Sequence, residues 1–123
     1  MAKKILIADD EPNIVISLEF LLKREGYEVI VAHDGAEALV RVRTERPDLA
    51  ILDVMMQQRN GFEVCQDLRQ DPEFKDLRIM MLTARGRDTE VSKGLALGAD
   101  VYMTKPFSTK ELIAKVKTLI DRT

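Results

Sequence analysis

Apolar residues fall into two patterns along this chain. Unbroken short runs recur: Ile5-Leu6-Ile7-Ala8, Val29-Ile30-Val31, Leu49-Ala50-Ile51-Leu52, Ile79-Met80-Met81-Leu82 and Val101-Tyr102-Met103-Thr104. They are too short for helices and apolar on both faces, as strands covered on two sides are. Between them, apolar residues return every three or four positions. Ile14, Leu18, Leu21 and Leu22 predict a helix that Pro12 opens and Gly26 ends, with Asp9-Asp10-Glu11 at its positive end. Asp34, with Glu37 three residues on, caps a second helix from Ala36 to Arg46, whose inner face is Ala38, Leu39 and Val42. Met55 to Gly61 reads as a loop punctuated by Asn60-Gly61. Gly61, Val64, Cys65 and Leu68 then mark one face of a third helix that stops before Asp71-Pro72. Asp88-Thr89-Glu90-Val91 starts a fourth, weaker in pattern, that ends at Gly98. Ser108 and Glu111 form a capping box for the last helix, striped by Leu112, Ile113, Val116, Leu119 and Ile120.

Five strands alternating with five helices predict an α/β fold, a doubly wound parallel sheet with helices on both faces. Ligands of such sheets bind at the carboxyl ends of the strands. The polar residues that end the runs therefore matter most. The first run delivers Asp9 and Asp10, the central one Asp53, the next Thr83 and the last Lys105.

Bulk composition narrows the partners. At 123 residues the chain fits one domain, spanning 1–123, that can bury a sizeable core. Lys and Arg total 19 against 21 Asp and Glu, a formal charge of -2 that argues against nucleic-acid binding by this chain. No apolar stretch approaches the ~20 residues of a membrane span, and the N-terminus lacks a signal-peptide pattern. The single Cys65 excludes an internal disulfide and is placed as a core thiol, so the expected compartment is the cytoplasm. His33 reads as a turn residue rather than a phosphoryl relay.

Two carboxylates about 4 Å apart repel by ~4 kcal/mol at an effective dielectric near 20. Three acids on one rim therefore call for a cation beyond Lys105. All-oxygen ligands select a hard ion, Mg²⁺ first. A carboxylate beside such a site can act as a nucleophile and carry an acyl phosphate. On this reading Asp53 is nucleophile and metal ligand, Asp10 a metal ligand, and Asp9 a second acid, direct or through water. Lys105 supplies an ammonium and Thr83 a hydroxyl to the transferring oxygens.

This ordered set, together with Leu82-Thr83-Ala84, Gly98-Ala99-Asp100 and Lys105-Pro106-Phe107, closely resembles the receiver domain of bacterial two-component response regulators. The resemblance covers essentially the whole chain. It implies a flavodoxin-like sheet of order 2-1-3-4-5, as in the single-domain chemotaxis member. It also implies that Asp53 is phosphorylated, with Mg²⁺, by a sensor histidine kinase or phosphotransfer protein. The Met55 backbone carbonyl would complete the metal ligands, and Lys105-Pro106 would be cis. Thr83 and Tyr102 would form a switch pair that repacks the surface of the fourth helix, fifth strand and last helix. Catalysis would extend only to the chain's own phosphorylation and dephosphorylation. An effector domain or protein would read the switch, in a monomer or a phosphorylation-dependent dimer.

Some positions depart from the family pattern. Gln57 stands where proline is common, and Arg59 adds a charge to the same loop. Val101 replaces an acid, which removes one support for the salt-bridged dimer of the transcription-factor branch. Met55 and Arg85 occupy the positions that tune self-hydrolysis in the family. An aspartyl-nucleophile phosphatase is the main alternative, but it needs an acid two residues past the nucleophile, where this chain has Met55. An unphosphorylated adaptor module is the other.

Overall fold

The computed structural model describes residues 3–56, 58–84 and 98–121, with Thr83 and Ala84 by their backbone alone. Five strands, β1 (Lys4–Ala8), β2 (Glu28–Ala32), β3 (Leu49–Asp53), β4 (Arg78–Ala84) and β5 (Val101–Lys105), form one parallel sheet. Their order is β2-β1-β3-β4-β5, as the family resemblance implied. The described helices are α1 (Pro12–Arg24), α2 (Gly35–Glu45), α3 (Gly61–Gln70) and α4 (Thr109–Asp121). The helix expected from Asp88 to Gly98 lies outside the described residues, apart from Gly98 itself. None of the described helices is long and apolar enough to cross a membrane.

The strand pleat sorts the apolar runs into two cores. Leu6, Ala8, Ala50, Leu52, Ile79 and Met81 face α2 and α3, where they meet Ala38, Val42, Val64, Cys65 and Leu68. Ile5, Ile7, Leu49, Ile51, Met80 and Leu82 point the other way, onto Leu18 and Leu22 of α1 and Leu112, Val116 and Leu119 of α4. All five residues of β3 are buried, so the run that looked central is central. Each fully buried large aliphatic contributes about 1.5–3 kcal/mol, and the two cores together fix the strand register.

Local signals set the ends of the helices. Pro12 occupies the first turn of α1, and Gly26 follows it at φ +93°, in the left-handed region where glycine is at ease. The N-cap of α1 is Glu11, which makes no side-chain cap bond. Asp9, two residues earlier, instead accepts from the Glu11 N–H at 2.9 Å through one carboxylate oxygen. Asp34 caps α2 by accepting from the Glu37 N–H at 2.8 Å, and Glu37 reaches back to the His33 N–H at 2.7 Å. At α3 a full capping box joins Asn60 and Glu63. The Asn60-Gly61 punctuation is therefore also a helix start. Ser108 Oγ accepts from the Glu111 N–H at 3.3 Å at the head of α4.

Candidate functional site

β1, β3 and β5 end on one rim, and their last or next residues meet there. Asp9, directly after β1, is 1% exposed, and Asp53, the last residue of β3, is 4% exposed. Lys105 ends β5 and stretches its ammonium between them, 3.0 Å from Asp9 Oδ2 and 3.5 Å from Asp53 Oδ2. Asp10 is exposed at the mouth. One carboxylate oxygen each from Asp9, Asp10 and Asp53 can be chosen so that all lie within 4.8 Å of one another. A small cleft of about 180 Å³ continues from Asp9 and Asp10 along Pro12, Val15, Ile16 and His33.

Backbone donors hold the two buried acids. Asp9 Oδ1 accepts from the Glu11 N–H at 2.9 Å, and Asp53 Oδ1 accepts from the Met55 N–H at 3.3 Å. Burial pushes the Asp53 carboxyl up, and the Asp9 charge pushes it further, to about 7. Lys105 and the Met55 N–H pull it back only in part. For Lys105, burial works to lower the pKa, but the hydrogen bond to Asp9, the charge of Asp53 and the hydrogen bond to Glu11 outweigh it, so the ammonium is held protonated. One ammonium does not neutralise this many carboxylates. The donor set is all oxygen and close enough to share one ion, and it fits a hard divalent cation such as Mg²⁺.

The structure brings together Asp9, Asp10, Asp53 and Lys105. Met55 lies beside them, its backbone tied to Asp53 and its side chain exposed. The Thr83 side chain and Arg85 lie outside the described residues, although the β4 backbone pairs Thr83 with Thr104 at the same rim. Tyr102 is half-buried and packs against the core on the α2–α3 face. Lys105-Pro106 is cis, as the resemblance implied. Cys65 is buried in the core, and burial raises its thiol pKa.

Two residues escaped the sequence reading. Glu11 Oε1 accepts from Lys105 at 3.1 Å, so the ammonium is shared three ways. Its only signal was its place after the Asp9-Asp10 pair. Arg69, in the last turn of α3, was not singled out from the sequence. Its guanidinium donates to the carbonyls of Gly98, Phe74, Lys75 and Leu77 and to Asp100 Oδ2. Asp100 also accepts from the Ile79 N–H at 2.8 Å, so this acid serves the approach to β5.

Comparison with known proteins adds independent findings. Residues 5–117 match the family model described as the response regulator receiver domain. The alkaline phosphatase synthesis transcriptional regulatory protein PhoP of Bacillus subtilis is 51% identical over 122 residues, which cover 99% of this chain and 50% of PhoP. This chain thus spans half the length of that relative. A solved structure from Chloroflexus aurantiacus, described as a response regulator, superposes with a TM-score of 0.96 at 38% identity, covering 99% of this chain and 100% of the other. The chemotaxis response regulator CheY4 of Vibrio cholerae superposes with a TM-score of 0.90 at 33% identity, covering 97% and 99%.

Proposed function

We propose, from the premise that this chain belongs to the response regulator receiver family and is a phospho-accepting signalling switch, that Asp53 is the residue that takes the phosphoryl group. One observation carries this reading. Asp53 is a buried carboxylate at the end of the central strand, within reach of two further acids and one ammonium. A carboxylate oxygen of Asp53 attacks phosphorus on a donor phosphohistidine of a sensor kinase or phosphotransfer protein. The P–N bond breaks, the electron pair leaves with the imidazole nitrogen, and a proton from solvent neutralises it. Lys105 pairs with the oxygens of the transferred group, and Thr83 offers its hydroxyl to another. Asp10, Asp53 and the Met55 carbonyl are the residues we assign to hold Mg²⁺, with Asp9 direct or through water. When bound, Mg²⁺ neutralises charge on the transferring oxygens and favours the ionised form of Asp53.

Catalysis on this reading is confined to the chain's own phosphorylation and hydrolysis. Thr83 and Tyr102 carry the change to the surface around β5 and α4, a local charge event biasing a two-state element. Moving such an element from 1:99 to 99:1 takes ~5.5 kcal/mol of differential stabilisation. A doubly charged group paired with Lys105 is of the right kind to supply it. Control of transcription, which the name of the Bacillus subtilis relative states for that protein, is the output we propose to test first.

The test is incubation with acetyl phosphate and Mg²⁺, followed by intact mass. One acid-stable, base-labile phosphoryl adduct, absent in Asp53→Asn, is the expected result. Sustained turnover of many phosphate esters would instead identify an aspartyl-nucleophile phosphatase. A chain with no adduct and no turnover would leave the adaptor reading.

A further inference from the structure

We propose that Gly35 is a positioning residue for the cation site, acting through the segment that joins β3 to α3. This rests on the reading above, in which Asp10, Asp53 and the Met55 carbonyl hold Mg²⁺. Gly35 is the first residue of α2 and is buried. The Arg59 carbonyl is pressed against it. A Cβ added at Gly35 would lie 1.8 Å from Arg59 O, 2.6 Å from Arg59 C and 2.7 Å from Arg59 Cβ. Two of these are backbone atoms, which cannot swing aside like the tip of a long side chain. Any other residue at position 35 must therefore push the Arg59 backbone away from α2.

That displacement has little freedom on the α3 side. Arg59 Nη1 is bound to Asp67 Oδ2 of α3 at 2.6 Å. Asn60 is locked in its capping box, and the Gly61 N–H donates to Val54 O at 3.0 Å. Gln58 already sits in the left-handed region at φ +69°. The other end of this connection is Met55, whose N–H donates to Asp53 Oδ1 and whose carbonyl is a proposed ligand, and we assign the displacement to that end. The first turn of α2 contributes no ligand of its own, yet it sets where one of them lies.

Gly35→Ala tests this, with Mg²⁺ affinity read from the metal-dependent rise in melting temperature and from NMR titration. Loss of an outer support costs metal sites 10–100-fold in affinity, so a weakening of about tenfold is expected in a protein that still folds. Gly26→Ala is the control for general destabilisation, since nothing lies within 4 Å of a Cβ there but φ is +93°. It should melt lower and bind Mg²⁺ as the parent chain does. Should Gly35→Ala fail to fold, hydrogen exchange of the unmutated chain decides. Mg²⁺ should then slow exchange in residues 33–39 as well as 53–60. Unchanged affinity in folded Gly35→Ala, or protection confined to 53–60, overturns the role of Gly35 and leaves the metal site standing. No response of the unmutated chain to Mg²⁺ overturns the metal reading and this one with it.

Discussion

Asp53→Asn should make the metal-free protein more stable. Asp53 is 4% exposed and faces Asp9, and burial with that charge raises its carboxyl from 3.8 to about 7. Lifting the carboxyl that far corresponds to roughly 4 kcal/mol held against the ionised form. The pocket opens to solvent beside exposed Asp10, and screening there leaves about 1–3 kcal/mol. The sign follows from proton binding. Between about pH 4 and 7 the folded protein holds a proton on Asp53 that the unfolded chain has released, so this group's contribution falls as pH rises. The cost is complete above about 7 and absent below about 4. Asparagine never ionises and escapes it. For a chain of this length, 1 kcal/mol moves the melting temperature by about 4 °C. Thermal melts in EDTA should show Asp53→Asn melting about 4–12 °C higher at pH 8, with a gap that narrows steadily toward pH 4.5. An equal gap at both pH values, or none at pH 8, would refute the electrostatic account of the pocket.

Other expectations can be checked with the same preparations. Mg²⁺ at about a hundred times its dissociation constant should add about 2.7 kcal/mol, or roughly 10 °C in melting temperature, and Asp10→Asn should lose most of that rise. Gly61→Ala places a Cβ 2.4 Å from the Asp53 carbonyl oxygen, so urea unfolding should show a loss of about 1–3 kcal/mol. Arg69→Ala strips hydrogen bonds from four carbonyls and from Asp100. It should cost about 2–4 kcal/mol by urea titration while acetyl phosphate still labels the folded fraction.

The sheet and its rim were legible because each strand announces itself as an apolar run and each key side chain ends one. Asp53 after Leu49-Ala50-Ile51-Leu52 needs no partner to be noticed, since an uncompensated carboxylate after a buried run is costly. The helix starts at Pro12 and Asp34 were equally local. The third helix was legible from Gly61 onward, but Asn60 was read as loop punctuation and not as the cap that pairs with Glu63. Arg69 and Asp100 lie 31 positions apart, and nothing in the spacing of either marks the other. Glu11 resembled one more helix-start acid until the fold brought Lys105 to it from 94 residues away. The contact between Gly35 and the Arg59 carbonyl joins two turns from separate units of the chain, and only assembled coordinates reveal it.

The strands act as a partition between two sealed compartments. Neighbouring residues of β3 report to opposite sides, Ile51 to one and Leu52 to the other, and Met103 and Tyr102 of β5 divide in the same way. A charge added at the upper lip of that partition pulls on a backbone common to both sides. Movement of that backbone therefore cannot stay on one side, because adjacent β3 side chains are seated in different cores.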